Sequence, residues 1–245
     1  MTFSYTFSIA KPTLFEQIQS RCNPPLFRII DENLRVLLAP HLREPARELR
    51  GKIGNAVFPT FKKQDSVTLY YPGCGQDLVW PVLILNTIAP GALVWTIIGQ
   101  DTAPSMGALI STMQTLTGNT FYSRISRQNK RAAKGFEKRL KGARFRFHGK
   151  IVDILFSQGD ALEQIPSQLE NEGYDIYFER GFEFCRSQNP SFIETAIAPL
   201  RTNGLAITDK AFARIPSGIK QIPLPRGRRH SDWGFYKSPA IYKKK

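Results

Sequence analysis

The stretch Leu69–Pro81, LYYPGCGQDLVWP, decides how this chain is read. It joins a β-rich run, Ser66–Tyr71 (SVTLYY), to QDLVWPVLILNT, which is apolar nearly all round as a buried helix would be. Pro81 is tolerated there only near the first turn, where a helix leaves its N–H groups without partners. Gly73 and Gly75 allow a tight turn and close approach of backbone to a ligand. The pattern GxxxxGK[ST] is absent, so this is no phosphate loop, and Leu78 stands where a third glycine of GxGxxG would be. By itself the turn is equally well read as a strand-to-helix connection that binds nothing.

Working outward, Ala92–Gly99 (ALVWTIIG) is a continuous β-branched and aromatic run, the pattern of a strand buried on both faces. Leu78 to Gln100 carries no charge over 23 residues, the length of a membrane span. Asn86, Pro90 and Gly91 interrupt it, so it reads as two core elements joined by a turn. APSMGALISTMQTLTG reads as a helix closing on Gly118, residues 121–142 as a basic helical insertion, and ARFRFHGKIVDILFSQGD as a strand with a turn at His148-Gly149. YDIYFERGF is another strand. NPSFIETAIAPLRTNG reads as a helix with Asn189 as N-cap, Pro190 at its first position and Gly204 at its end, and LAITD as the next strand. IKQIPLP and GFYKSPAIYKK are extended. Upstream, Pro12 marks a helix start, and the spacing of Leu34, Leu37, Leu38 and Leu42, broken at Pro40 and Pro45, predicts short helices.

From Ser66 onward strands and helices alternate, which predicts an α/β fold with a mostly parallel, doubly wound sheet. Residues 1–63 form a helical N-terminal extension and residues 64–245 the sheet domain. In such a sheet ligands sit outside the carboxyl ends of the strands. Asp101 closes the second strand 26 residues after Gly75, where a carboxylate can accept both hydroxyls of a ribose. Asp160 follows the third strand, next to the small Ala161. Taken singly, an acid at a strand end is more often a helix cap or a solvated loop residue. With YFERGF, which ends the fourth strand beside the glycine turn, three such positions in register with that turn point to a nucleoside.

Composition narrows the classes. Cys22, Cys74 and Cys185 are sparse and odd in number, and His41, His148 and His230 are scattered, so neither a disulfide framework nor a metal site is expected. The N-terminus lacks the basic start and apolar run of a secretory signal, so a cytoplasmic protein is expected. Charge is uneven. Residues 121–150 hold eleven Lys/Arg against Glu137, and residues 220–245 hold eight against Asp232. With a total of +14, the remainder of the chain sums to −3. Tyr122, Phe136, Phe145 and Phe147 lie among the charges of the first segment. It reads either as a surface for RNA or an acidic partner, or as a solvated helix running into a strand.

From about Ser66 to the C-terminus the chain resembles the class I, Rossmann-like S-adenosylmethionine-dependent methyltransferases. LYYPGCGQD is similar to the motif that wraps the methionine part of the cofactor, IIGQD to the ribose motif, and SQGDAL to the adenine motif. YDIYFERG resembles the strand whose end faces the methyl group, PLRTNGLAITD the usual helix-turn-strand, and DWGFYKSPAIYKKK the closing antiparallel hairpin. The resemblance implies a seven-stranded sheet with S-adenosylmethionine held by Tyr71, Gly73, Cys74, Gly75, Asp77, Asp101, Asp160, Ala161 and Glu179. It implies Glu179 as the catalytic or substrate-orienting group, with Arg180 and Glu183 next. Tyr71-Pro72 replaces the acid usual before the first glycine, and Asp77 is expected to compensate. FERGF replaces the Asn/Asp-Pro-Pro-Tyr/Phe of enzymes that methylate adenine or cytosine amino groups. The alternatives are a degenerate Rossmann scaffold that binds nucleic acid or acidic partners without catalysis and, less favoured, a nicotinamide dehydrogenase.

Overall fold

A computed structural model describes residues 16, 27–29, 47, 49–54, 57–75, 78–102, 142–224 and 240–245. Nine strands among them form one sheet. They are β1 (Phe27–Ile29), β2 (Ser66–Pro72), β3 (Val94–Asp101), β4 (Gly142–Phe147), β5 (Lys150–Gln158), β6 (Tyr174–Glu179), β7 (Leu200–Thr208), β8 (Ile219–Ile222) and β9 (Ala240–Lys244). The described helices are α1 (Val79–Ile88), α2 (Ser167–Glu172), α3 (Glu183–Gln188) and α4 (Phe192–Ile197). A π-helical turn (Arg50–Gly54) and a 3₁₀ turn (Phe58–Phe61) precede β2.

The sheet order is β1-β4-β5-β3-β2-β6-β7-β9-β8. Strands β5, β3, β2, β6 and β7 run parallel, whereas β9 is antiparallel to both β7 and β8. The chain builds outward from β2 through β3 to β5, then crosses back to place β6 on the other side of β2. The strand order therefore reverses between β2 and β6, the place where open α/β sheets bind ligands.

Both faces are covered. On one, Leu69, Tyr71, Ile97, Ile176 and Phe178 pack with Val82, Leu83 and Leu85 of α1. On the other, Tyr70, Ile98, Leu155 and Tyr177 pack with Leu169 of α2 and Phe192 and Ala196 of α4. Continuous burial along β2, β3 and β6 explains why these segments read as unbroken apolar runs rather than alternating ones.

The structure departs from the sequence reading in four places. Seven strands were expected, and β1 and β4 extend the sheet to nine among the described residues. Phe27–Ile29, inside the expected helical extension, is a strand parallel to β4. Leu49, Ile53, Val57 and Phe61 of the same extension lie in the core cluster of α1. The helix expected over Asn189–Gly204 covers only Phe192–Ile197, and Ser191 stands at its N-cap. Asn189 instead donates through Nδ2 to the Leu162 carbonyl at 2.9 Å. Gly204 lies within β7, where a Cβ would come within 2.7 Å of the Arg201 carbonyl oxygen and 2.8 Å of that of Asp175. The neighbouring Asn203 has a left-handed φ of 65°, and the β6–β7 register shifts between Tyr174 and Ile176. A crowded, irregular strand needs glycine as much as a helix end does.

The expected helix closing on Gly118, the expected helix over 121–142 and Asp77 lie outside the described residues. Among the described residues no helix is long and apolar enough to cross a membrane. The uncharged run Leu78–Gln100 is α1 and most of β3, separated by a turn.

Candidate functional site

The glycine turn leaves β2 at the point where the strand order reverses. Gly73 and Gly75 have φ of 59° and 52°, left-handed values that cost an L side chain about 1–2 kcal/mol. Between them the Cys74 N–H donates to the Gln100 carbonyl at 3.1 Å, continuing the β2–β3 ladder past Pro72. The Gly75 N–H donates to Asp101 Oδ2 at 2.9 Å. The strand-end acid therefore holds the loop from below while remaining half-buried at the rim. A Cβ built on Gly75 would meet nothing within 4 Å, so the turn is open on that side.

Asp160 joins the same edge. The Gly159 N–H donates to the Asp101 carbonyl at 3.0 Å, linking the ends of β3 and β5. Asp160 Oδ1 accepts the Leu162 N–H at 2.8 Å, and its carbonyl accepts the Glu163 and Gln164 N–H groups. This folds the chain back over Ala161, which is buried. Gln100 fixes the floor: its Oε1 accepts the Tyr70 hydroxyl at 2.6 Å and its Nε2 donates to the Gln164 carbonyl at 2.9 Å. Burial pushes the Tyr70 phenol up, with Cys74 adding to the shift, so it stays protonated and serves as a donor.

Three expected contacts are placed differently. The Tyr71 ring is buried on the α1 face, 4.9 Å from Phe178. The Cys74 thiol is buried in the same core, and a Cβ on Gly99 would come within 2.9 Å of its Sγ. Their side chains therefore pack in the core, and only their backbone follows the turn. Glu179 is fully buried: Oε2 accepts the Tyr177 hydroxyl at 2.7 Å, and Oε1 lies 2.7 Å from Arg186 Nε, off the hydrogen-bond line. The carboxylate is thus enclosed between Tyr177 and Arg186. Burial pushes its pKa up to about 7, against the lowering effects of Arg186 and Tyr177, and Asp209 adds to the rise.

Sequence reasoning missed Asp209, although LAITD put an acid at a strand end just as in the two strands already noticed. Asp209 is buried, its Oδ2 accepts the Gly181 N–H, and its Oδ1 has no hydrogen-bond partner among the described residues. The chain from β6 then passes over the turn. Gly181 has a left-handed φ of 71°. The Phe182 ring lies so close to Gly73 that a Cβ there would be 2.4 Å from its Cδ2. Arg180 places its guanidinium carbon 5.0 Å from the Trp80 ring centroid, in the first turn of α1. Neither aromatic carries a motif, and only their positions after the turn and after β6 could have pointed to them.

No known family profile matches the chain, and no curated protein matches it. It is similar to solved structures of methyltransferases at low identity. One is a SAM-dependent methyltransferase from Thiobacillus denitrificans in complex with S-adenosyl-L-homocysteine. Identity is 11% and the TM-score 0.33, over 75% of this chain and 49% of that one. Another, from Geobacter sulfurreducens with the same ligand, shows 12% identity and a TM-score of 0.32, over 78% and 51%. The rRNA methyltransferase aviRa from Streptomyces viridochromogenes shows 12% identity and a TM-score of 0.40, over 85% and 88%. The chain thus spans about half the length of the first two. Likeness at this level is no evidence for an activity.

Proposed function

We propose that the chain is an S-adenosylmethionine-dependent methyltransferase. The observation that carries this reading is the joined edge at the sheet's reversal point, where the Gly75 amide is held by Asp101 and Asp101 is tied through its carbonyl to Gly159 beside Asp160. A nucleoside cofactor fits it. The left-handed glycines and the open side of Gly75 leave room for the amino-acid end, the Asp101 carboxylate stands at the rim for the ribose, and Asp160 with small, buried Ala161 suits the adenine. When bound between these residues, the cofactor would supply its own electrophile, a sulfonium methyl.

The protein's part is alignment and exclusion of water. Gln100 and Tyr70 hold the floor, and Phe182 closes over Gly73. Glu179 with Arg186, and Asp209 with the Gly181 amide, fix the chain that follows β6. A general base is needed only for an acceptor that must lose its proton to react. We further propose that residues 1–63 shape the acceptor pocket and that the protein acts in the cytoplasm.

Titration calorimetry with S-adenosylhomocysteine tests the reading. Micromolar binding is expected, weakened at least tenfold in Asp101→Ala. No heat from a folded sample at high micromolar ligand would overturn it. The burial of Tyr71, where the resemblance expects an acid, favours a second reading: a degenerate scaffold that binds nucleic acid or acidic partners through residues 121–150. That reading predicts salt-sensitive binding with no cofactor effect.

A further inference from the structure

The segment that follows β6 covers the glycine turn, and a side chain from the next strand holds that segment in place. Glu179 pairs with Thr208 in the β6–β7 register, so Asp209 stands one residue beyond the ladder. The following residue, Lys210, is anchored: its carbonyl accepts Arg186 Nη2 at 3.0 Å and Thr208 Oγ1 at 2.8 Å. Asp209 is only 1% exposed, and its Oδ2 accepts the Gly181 N–H. Its Oδ1 has no hydrogen-bond partner among the described residues. A buried carboxylate with one oxygen unsatisfied is costly to keep, so stability alone gives no reason to place one here. Gly181 itself is exposed, with a left-handed φ of 71° and nothing within 4 Å of a Cβ built on it. Space is open above that point, and the hydrogen bond to Asp209 is what holds its backbone.

On either side of Gly181 the strap 180–182 grips the turn. The Phe182 ring lies over Gly73 and meets Phe192 of α4 edge-on, with centroids 5.5 Å apart. Arg180 lies on Trp80, in the first turn of α1. The strap thus reaches both ends of the connection that Gly73 opens and α1 closes. It belongs to the β6–β7 side of the sheet, whereas Asp101 and Asp160 follow β3 and β5, on the other side of β2. A cofactor seated as proposed above straddles β2, with its nucleoside on the β3–β5 side and its amino-acid end against the glycines. A ring fixed over Gly73 bears on the amino-acid end alone.

We propose that Asp209 is a positioning residue for ligand selection: by holding the Gly181 amide it sets the Phe182 ring as the wall for the amino-acid end, so that a nucleoside thioether bearing an amino acid binds in preference to one without. The selection rests on the methyl-transfer reading; the tie between Asp209 and the strap does not. The test is titration calorimetry of the full chain with S-adenosylhomocysteine and with 5′-methylthioadenosine, which lacks the amino-acid end. Asp209→Ala should weaken S-adenosylhomocysteine about tenfold, the worth of one hydrogen bond, and 5′-methylthioadenosine by less than about threefold. Asp209→Asn keeps an acceptor for the Gly181 amide and should recover most of the loss. Phe182→Leu should reproduce the selective loss, and adding Asp209→Ala to it should weaken binding little further.

Hydrogen exchange supplies a second readout. On the unsubstituted chain S-adenosylhomocysteine should slow exchange in the peptide holding Gly181, and 5′-methylthioadenosine should not. Without ligand, Asp209→Ala should speed it. Thermal melting shows whether each variant is folded; if Asp209→Ala is not, Phe182→Leu and exchange on the unsubstituted chain decide. Equal losses for the two ligands, additive effects in the double variant, or tighter binding by Phe182→Leu would overturn the proposal with the methyl-transfer reading intact. A folded unsubstituted chain that binds neither ligand would overturn that reading and the selection with it, while faster exchange at Gly181 in Asp209→Ala would still establish the tie.

Discussion

At the scale of single residues the two glycines of the turn do different work. Gly75 needs its left-handed φ but has open space above it, whereas Gly73 is both left-handed and covered by Phe182. Gly73→Ala should therefore destabilise the fold by about 2–3 kcal/mol, from backbone strain and overpacking together. Gly75→Ala should cost about 1 kcal/mol, from strain alone. Urea denaturation of both variants checks the difference, and adding Phe182→Ala should rescue Gly73→Ala in part but leave Gly75→Ala unrescued. Asp101→Ala separates binding from folding. It removes the acceptor of one exposed amide, which costs about 1 kcal/mol, but under the proposed reading also takes away the ribose acceptor, so calorimetry should show a much larger relative loss. Asp101 and Asp160 were legible because a strand end at the carboxyl edge of a parallel sheet is predictable from sequence order. The burial of Glu179 was not, because the same strand-end position serves a carboxylate at the rim and one turned against Arg186. Which it is depends on the packing of α3, four residues later in sequence and unreadable from the strand.

At the scale of elements, legibility followed the strength of the local signal. QDLVWPVLILNT became α1 because it is too long and too evenly apolar for a strand, and Pro81 falls in its first turn. LRTNGLAIT was misread because Asn-Gly marks a helix end and a strand irregularity alike, and only the Asp175 side chain tells them apart. Its Oδ2 accepts the Thr68 amide at 2.8 Å and lies 3.0 Å from Arg201 Nη1, where the β6–β7 register shifts and the Asp175 carbonyl comes close to Gly204. The added strand β4 depends on another such pair. Asp153 on β5 has no solvent exposure, and Arg144 on β4 grips it with Nε at 2.6 Å and Nη2 at 2.9 Å while reaching Glu16 at 3.1 Å. Burial raises the Asp153 pKa, and Arg144 pulls it back. Removing one partner of a buried pair leaves an uncompensated charge, at about 3–5 kcal/mol. Arg144→Ala should therefore be severely destabilising in chemical denaturation at pH 7, and the double variant Arg144→Ala/Asp153→Asn should recover most of the loss. Additive effects in that cycle would show that the two side chains do not act as a pair.

At the scale of the whole molecule the buried Glu179 makes stability depend on pH, with a sign opposite to that of an ordinary salt-bridged acid. Its carboxyl titrates at about 7 in the folded chain, against an ordinary value of 4.5. Below pH 4.5 both states hold the proton, and the group contributes no difference. Between about pH 4.5 and 7 the unfolded chain ionises first, so the native state binds more protons and stability falls as pH rises. Above pH 7 the full cost of keeping a buried carboxylate is present, about 3 kcal/mol from the size of the shift. Asp153, also raised by burial, adds to the fall in the same direction at the acid end. Glu179→Gln keeps the shape and the contact with Tyr177 but cannot ionise. Its melting temperature should exceed that of the unsubstituted chain by roughly 6–12 °C at pH 8 and match it at pH 4. A melting profile from pH 4 to 9 for the two proteins decides the matter. If Glu179→Gln is instead less stable at pH 8, the ion pair with Arg186 outweighs desolvation, Glu179 is charged at neutral pH, and the segment after β6 is held by charge rather than by a shared proton.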